Sequence, residues 1–231
     1  MSQNNSTRAK KPKKENFDVS KLTYTAHSDI PPFELQNVVS TFSLGLSAIN
    51  LRQIANKFSF IEFNPQTFAA GTVRIRDPRT TCLCFQSGNM VCTGGRSELE
   101  SRLAARKYVR IFQNVGLPAC FSNFRIQNIV ASANVGFTIK LREMARDFGP
   151  YSTFEPQLFP GLIFRSINPK LVFLCFRSGK IVITGAKNKT QIEQTYSSMY
   201  TNVLIKYRDL AGSTSSSSVY RNACRAELDT L

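Results

Sequence analysis

The sequence has few of the side chains that enzymes most often use for acid–base chemistry and metal binding. Its 231 residues include one histidine, His27, in a polar N-terminal stretch, and six cysteines without a CxxC pair. We therefore expect no histidine-based catalysis, no metal and no cofactor, and reduced, buried thiols rather than disulfides or zinc ligands. No apolar run approaches the roughly 20 residues that span a bilayer, and no apolar secretory signal begins the chain. These absences predict a soluble, intracellular protein that does not enter membranes.

Acidic residues are also scarce. Fifteen Asp and Glu stand against 30 Lys and Arg, which gives a net charge of +15. Residues 30–211 alone hold 22 basic and 10 acidic residues, so the charge does not reside only in the two polar ends. A cation of this size is attracted to polyanions such as nucleic acid or an anionic membrane surface. With 42% hydrophobic residues, the composition indicates a folded binding protein of one large domain or two small ones.

The two ends of the chain differ in composition from its middle. Residues 1–29 are polar and carry a cluster of lysines at positions 10, 11, 13 and 14, which predicts a disordered basic arm. Such a cluster is compatible with a nuclear import signal or a loose contact to nucleic acid. Residues 212–218 read GSTSSSS, which predicts a flexible, Ser-rich C-terminal tail over 212–231.

One sequence pattern occurs twice, at a constant offset of 91 residues. Gln36-Asn37 recurs as Gln127-Asn128, and the same register holds through the stretches 63–68, 74–78, 83–88 and 91–94. This period is far above the roughly 20–50 residues of solenoid repeats. The pattern therefore predicts two similar halves related by a pseudo-two-fold axis, at residues 30–121 and 122–211.

Each half has the same predicted order of strands and helices. In the first half, strands are predicted at 35–41, 68–75, 80–85 and 89–93, with a short helix within 46–58. The capping box Ser97-Glu98-Leu99-Glu100 begins a long helix that ends before Gly116. Its predicted apolar face is Leu99, Leu103, Tyr108, Ile111, Phe112 and Val115. The corresponding second-half helix is predicted over 189–207, with a stripe of Ile192, Tyr196, Met199, Tyr200, Val203 and Tyr207. Helices over one face of meandering strands predict an α+β fold.

Period-two alternation sorts the strand side chains onto two faces of the sheet. If Cys82, Cys84, Met90 and Cys92 pack under the helix, the other face is apolar and open, with Leu83, Phe85, Val91 and Thr93 in the first half and Leu174, Phe176, Val182 and Thr184 in the second. One alternative is a sandwich in which a second sheet buries this face. Asn37 and Asn128 lie amid the apolar positions, and a sealed core would have to satisfy their amides. An apolar floor with a few amides and hydroxyls suits the DNA minor groove, which offers acceptors at A·T pairs.

These residues resemble the conserved core of the TATA-box-binding protein family. The resemblance covers nearly all of residues 30–210 and is carried by the stretches 63–94, SRLAARKY (101–108), FRIQNIVAS (124–132) and FEPQLFPGLIFRSINP (154–169). It implies a saddle of two pseudo-symmetric halves, whose curved antiparallel ten-stranded sheet binds DNA on its concave side and carries helices on its convex side. It also implies a general transcription factor that binds and kinks TATA elements and nucleates the preinitiation complex.

The resemblance implies a role for individual residues. Two phenylalanine pairs would wedge into base steps, Phe68 with Phe85 and Phe159 with Phe176, with Pro160 supporting Phe159. Central base pairs would be hydrogen-bonded by Asn37, Asn128, Thr93 and Thr184. The apolar floor would consist of Val39, Val130, Val91, Val182, Leu83 and Leu174. Phosphates would be contacted by Arg74, Arg165, Ser87 and Ser178.

Protein partners are also implied by the resemblance. Arg102 and Lys107 on the long helix match the region that binds transcription factor IIA, and Glu155 and Leu158 match the docking loop for transcription factor IIB. The RNA polymerase initiation machinery, a nuclear location and weak self-association follow from the same likeness. Gln157 and Asn89 depart from the family pattern, which has an acidic residue and a lysine there.

Two other functions compete with promoter recognition. One is a related scaffold that acts mainly through partner proteins with altered DNA preference. The retained phenylalanines and central asparagines argue against it. The other is a DNA glycosylase, because some glycosylases carry a similar sheet. The repeat occupies almost all of the folded length and leaves no room for a catalytic helical domain.

Overall fold

Ten strands and four helices form the part of the chain, residues 30–209, that the computed structural model describes. The strands are β1 (Phe33–Ser43), β2 (Ile61–Glu62), β3 (Ala70–Arg76), β4 (Arg79–Phe85), β5 (Asn89–Gly95), β6 (Ser122–Asn134), β7 (Ser152–Thr153), β8 (Leu162–Arg165), β9 (Val172–Cys175) and β10 (Lys180–Ala186). The helices are α1 (Leu51–Lys57), α2 (Glu98–Asn114), α3 (Leu141–Asp147) and α4 (Lys189–Asn202). The predicted basic arm, the Ser-rich tail and Cys224 lie outside the described residues.

All ten strands form one antiparallel, curved sheet in the order β2-β3-β4-β5-β1-β6-β10-β9-β8-β7. Each half of the chain contributes five neighbouring strands, and β1 pairs with β6 where the halves meet. Val38 lies opposite Ile129 at this junction, so the pseudo-two-fold axis passes between them. The predicted α+β fold of two repeats with a ten-stranded sheet is confirmed. None of the helices within residues 30–209 is long and apolar enough to cross a membrane.

Each of the two central strands contains a β-bulge at the Gln-Asn pair of the repeat. The register of β1 against β6 shifts at Gln36 and again at Gln127, so each glutamine is an extra residue in its strand. A bulge of this kind turns two consecutive side chains toward the same face. Gln36 and Asn37 therefore both face away from the helices, as do Gln127 and Asn128.

Helix α2 covers the first half of the sheet, but its fully buried residues match the predicted face only at Tyr108 and Phe112. Leu99 is 81% exposed and Leu103 is 49% exposed. The buried face instead consists of Ser101, Ala104, Ala105, Tyr108, Val109 and Phe112. Small residues let the helix approach the sheet closely, and the Ser101 hydroxyl lies 2.7 Å from the Ser40 hydroxyl. Hydrophobicity favoured the leucines, whereas close packing selected the small residues. Half of the predicted capping box forms, because the Ser97 hydroxyl accepts the Glu100 N–H at 3.0 Å. The Glu100 carboxylate accepts the N–H of Arg96 at 2.8 Å rather than that of Ser97.

Three predicted element boundaries are also wrong. The short helix predicted over 46–58 forms only over Leu51–Lys57. Residues 44–50 are irregular, with bends at Gly45 and Ser47, and Leu44 and Ile49 donate backbone hydrogen bonds to the β4–β5 turn. The strand predicted from Phe68 begins at Ala70, since the Phe68 N–H is bonded to Asn64 in a turn. Helix α4 ends at Asn202 and is followed by a 3₁₀ turn over Leu204–Tyr207, after which the chain pairs with residues 138–140. Its predicted stripe is nevertheless buried, except Tyr200, which is half-buried.

Candidate nucleic-acid interface

The two faces of the sheet differ sharply in exposure. Cys82, Cys84, Met90 and Cys92 are completely buried beneath α2, whereas the alternating residues Leu83, Phe85, Val91 and Thr93 are half-exposed. Leu174, Phe176, Val182 and Thr184 repeat this arrangement in the second half. No second sheet covers this face among residues 30–209. The open apolar face predicted from alternation is therefore present, and the sandwich alternative is wrong.

Strand pairing assembles the predicted floor residues into rows across the concave face. Leu83 lies opposite Val91, and Leu174 lies opposite Val182. At the centre, Asn37 is paired with Val130 and Val39 with Asn128. Residues directly opposite each other in an antiparallel pair point to the same face. The six predicted floor residues, Val39, Val130, Val91, Val182, Leu83 and Leu174, therefore share one surface.

The two central asparagines are held in matching hydrogen-bond networks. The Asn37 Oδ1 accepts the Gly94 N–H at 2.8 Å and the Thr93 hydroxyl at 3.1 Å. The Asn128 Oδ1 accepts the Gly185 N–H at 2.8 Å and the Thr184 hydroxyl at 3.3 Å. Because a backbone N–H can only donate, it fixes the orientation of each carboxamide, with the oxygen toward the glycine. The Asn128 Nδ2 also donates to the Thr184 hydroxyl at 3.1 Å, which uses one of its two hydrogens.

The hydrogen bonds that hold the two asparagines require glycine at positions 94 and 185. Their φ angles are +103° and +101°, a region that side chains rarely adopt. A Cβ on Gly94 would also approach the Arg79 carbonyl oxygen to 3.1 Å, and one on Gly185 would approach that of Lys170 to 3.1 Å. Each central asparagine is thus held by the Thr-Gly pair that faces it, Asn37 by residues 93–94 and Asn128 by residues 184–185.

The predicted wedge phenylalanines of the second half form a ring pair. The centroids of Phe159 and Phe176 are 5.8 Å apart and the ring planes meet at 64°. Both rings lie against Gly161, where an added Cβ would come within 2.7 Å of Phe159 Cε1 and 3.1 Å of Phe176 Cε1. Pro160, which lies between Phe159 and Gly161 in the sequence, is exposed.

The corresponding residues of the first half are arranged differently. Phe68 is 51% exposed, whereas Phe159 is half-buried. Ala70, at the position equivalent to Gly161, is 2% exposed and lies opposite Phe85 in the β3–β4 pair. The two halves therefore differ by one methyl group at this strand position.

The rims of the concave face carry the predicted phosphate contacts. Arg74 is ion-paired with Glu62 at 2.7 Å. Arg165, its counterpart, instead donates to the hydroxyl of Thr153 at 3.4 Å and forms no ion pair within residues 30–209. Ser87 and Ser178 are exposed in the β4–β5 and β9–β10 turns. An exposed ion pair contributes little stability but does reduce the net charge offered to an anion.

The predicted partner-binding residues lie in two places, on helix α2 and in the turn before Phe159. Arg102 on α2 stacks over the Phe124 ring at 4.6 Å. Lys107 donates to the Asp77 carbonyl at 2.6 Å and to its carboxylate at 3.0 Å, which holds the β3–β4 turn. Glu155 and Leu158 lie in the turn before Phe159, and Leu158 is 87% exposed.

The buried cysteines are not reactive groups. Burial raises the pKa of Cys84 and of Cys175 to about 12. Burial also raises the pKa of Cys92 to about 11, although a hydrogen bond with Thr80 works against the shift. Thiols with raised pKa values are poor nucleophiles and poor metal ligands at neutral pH. No cluster of three or more His, Cys, Asp or Glu in the described part of the chain could hold a metal ion.

Comparison with known proteins decides the family. The model of the family described as transcription factor TFIID, or TATA-binding protein, matches residues 32–115 and 123–204. The chain belongs to the TATA-binding protein family. The TATA-box-binding protein of Acetabularia peniculus is 51% identical over 76% of this chain and 91% of its own length. TATA-box-binding protein 1 of Triticum aestivum is 53% identical over 75% of this chain and 74% of its own length.

A solved structure agrees with this assignment. The TATA-binding protein of Methanococcus jannaschii has a TM-score of 0.63 at 30% identity, covering 74% of this chain and 99% of its own. The TATA-binding protein family consists of DNA-binding transcription factors without enzymatic activity. The prediction that the chain is not an enzyme is therefore confirmed, and the glycosylase alternative is wrong.

Sequence reasoning missed several residues on the concave face. Gln36 Nε2 donates to the Ser132 hydroxyl and Gln127 Nε2 to the Thr41 hydroxyl, both at 2.8 Å, across the seam between the halves. The glutamines marked the repeat, but the sequence analysis assigned them no role. Gly161 was missed as well, although the change from Ala70 to glycine between the repeats was a visible signal.

Proposed function

We propose that this protein binds the minor groove of TATA-like promoter elements, kinks the duplex with phenylalanine wedges, and nucleates the transcription preinitiation complex in the nucleus. The observation that carries the proposal is an open apolar sheet face on which both central asparagines have fixed carboxamides. A monomeric protein seldom exposes so large an apolar surface without a binding role. Membership of the TATA-binding protein family supplies the class of ligand.

Base reading rests on the centre of the concave face. The amide nitrogens of Asn37 and Asn128 are donors, and the minor groove of A·T pairs presents only acceptors. The amino group of guanine would bring a further donor against these donors and against the valine methyl groups. The pair of asparagines therefore favours A·T pairs without distinguishing A·T from T·A. The Thr93 and Thr184 hydroxyls donate to the asparagine oxygens in the free protein, and they would add to this preference by turning their protons to the groove acceptors.

Kinking rests on the four phenylalanines at the ends of the face. Insertion of apolar side chains between base steps is the known mode of binding for TATA-binding proteins. Each inserted ring replaces part of the lost base stacking, and flexible pyrimidine–purine steps such as TA are the easiest to open. Phe68 with Phe85 and Phe159 with Phe176 would act at opposite ends of the element, with Pro160 behind Phe159. Arg74, Arg165, Ser87 and Ser178 would hold the flanking phosphates.

Partner binding completes the proposed role. Arg102 and Lys107 lie on the convex side and Glu155 and Leu158 beside the second wedge, so all four stay accessible when the concave face is occupied. We assign the first pair to transcription factor IIA and the second to transcription factor IIB. The repeats 30–121 and 122–211 would then each contribute one wedge pair and one docking surface.

A titration with two duplexes tests the proposal. One duplex carries a TATA element and the other the same bases shuffled, and end-to-end fluorescence transfer reports bending at fixed salt. We expect tighter binding and a shorter end-to-end distance for the TATA duplex. Equal affinity for both duplexes, or binding without bending, would refute the proposal. Retained binding of transcription factors IIA and IIB in that case would favour the scaffold function instead.

A further inference from the structure

We propose that Gly161 is a positioning residue that holds Phe159 and Phe176 as a preformed wedge, so that the second half engages DNA before the first. This inference rests on the proposed function. Gly161 itself is not proposed to contact DNA. It acts through the two rings that lie against its Cα.

Geometry ties both rings to this glycine. An added Cβ at Gly161 would lie 2.7 Å from Phe159 Cε1, 3.3 Å from Phe159 Cζ and 3.1 Å from Phe176 Cε1. Contacts this short require the rings to shift. The glycine therefore allows the edge-to-face contact at 5.8 Å, a geometry that aromatic pairs favour.

The first half provides an internal control, because Ala70 stands where Gly161 does in the repeat. The Ala70 methyl group is buried and lies on the strand beside Phe85. Phe68 is 51% exposed, whereas Phe159 is half-buried, and we attribute this difference to the methyl group of Ala70. We therefore infer that the contact at Gly161 holds the second-half rings in place, whereas Phe68 becomes ordered only when DNA binds.

Preorganisation translates into an order of events. Ordering a side chain at an interface opposes binding, and a group that is already ordered avoids that cost. The second-half wedge can therefore enter a base step at first encounter, while Phe68 inserts only after the duplex has begun to bend. Interactions made early affect the association rate, and interactions made late affect the dissociation rate.

Bending kinetics test this order. Stopped-flow fluorescence transfer with the TATA duplex is measured for the wild type, Gly161→Ala, Phe159→Ala and Phe68→Ala. We expect Gly161→Ala and Phe159→Ala to slow association by about two- to tenfold, the scale of ordering one side chain. Phe68→Ala should act mainly on dissociation. Gln66→Ala and Gln157→Ala, exposed neighbours in the two turns, are the matched controls and should change neither rate.

A second measurement is independent of DNA. Aromatic NMR shifts of the free protein report the ring pair, and Gly161→Ala should move the signals of Phe159 and Phe176 while the melting curve stays close to wild type. The reciprocal change Ala70→Gly should shift the signals of Phe68 and Phe85. The inference is overturned if Gly161→Ala moves the rings but changes neither the association rate nor the dissociation rate. It is also overturned if Phe68→Ala and Phe159→Ala change these two rates in the same proportion. A wild type that does not bend the TATA duplex would refute the proposed function, whereas unmoved ring signals would refute the role of Gly161 alone.

Discussion

The two halves of the saddle share a backbone but differ most where they are buried. Beneath the helices the paired positions have diverged, as in Cys82 and Phe173, Cys92 and Ile183, Tyr108 and Met199, and Phe112 and Val203. On the concave face they are identical at Gln36 and Gln127, Asn37 and Asn128, Leu83 and Leu174, Phe85 and Phe176, Val91 and Val182, and Thr93 and Thr184. Packing alone would hold the interior more tightly than the surface. Under the proposed function, contact with DNA rather than packing of the core would keep the two repeats alike.

The largest expected effect compares the two wedges at equilibrium. Phe159→Ala should weaken binding to the TATA duplex by about 1–3 kcal/mol, the scale of a lost stacking contact, and should reduce the bend. Phe68→Ala should cost less, because the ordering of that exposed ring already opposes binding. Titrations with both variants at one salt concentration measure the difference. Equal losses would remove the asymmetry between the wedges, and an unchanged bend in Phe159→Ala would show that this residue is not a wedge.

A smaller effect compares two buried tyrosines. The Tyr108 hydroxyl in the first half donates to the Thr80 carbonyl at 2.8 Å and lies 3.0 Å from the Thr80 hydroxyl. The Tyr196 hydroxyl in the second half is buried without a hydrogen-bond partner among residues 30–209. Tyr108→Phe should lower the free energy of unfolding by about 1 kcal/mol, whereas Tyr196→Phe should be neutral or stabilising. Urea denaturation compares them, and equal destabilisation would contradict the assigned bonding.

The smallest effect compares the two rim arginines. Arg165→Ala should reduce the slope of log affinity against log salt by about one unit, because an unpaired cation contacting one phosphate is lost. Arg74→Ala should reduce the slope by less, since Glu62 already offsets part of its charge. Glu62→Gln should bring the Arg74 effect up to that of Arg165. Arg110→Ala is the control, because Arg110 is an exposed residue of α2. If Arg110→Ala changes the slope as much as Arg165→Ala does, Arg165 has no specific contact with a phosphate.

Much of this fold could be predicted from the sequence because the repeat, the alternation and the turns are local signals. The offset of 91 residues set the pseudo-symmetry, and alternating residues such as Leu83 and Cys84 separated the two faces. The covering face of α2 could not be read in this way. Its contact with the sheet depends on small residues fitting under a helix, and hydropathy ranks Ser101 and Ala104 below Leu99 and Leu103.

The geometry of the site was predictable in kind but not in detail. The residue types on the concave face followed from alternation and from the family resemblance. The fixed carboxamides did not, because they depend on backbone N–H groups that a bulge and a left-handed glycine bring to Asn37 and Asn128. The proposed inequality of the two wedges depends on the methyl group of Ala70, and its effect on the rings can be judged only when two strands and a loop are placed together.

The seam between β1 and β6 has a mechanical consequence. The two strands pair from Phe33 opposite Ala133 to Ser43 opposite Ser122, so a ladder of backbone hydrogen bonds, and not a hinge, joins the halves. A continuous sheet of this kind resists bending at the seam between the two halves. If DNA is bound at both ends of the sheet, as proposed, the duplex rather than the protein would therefore bend.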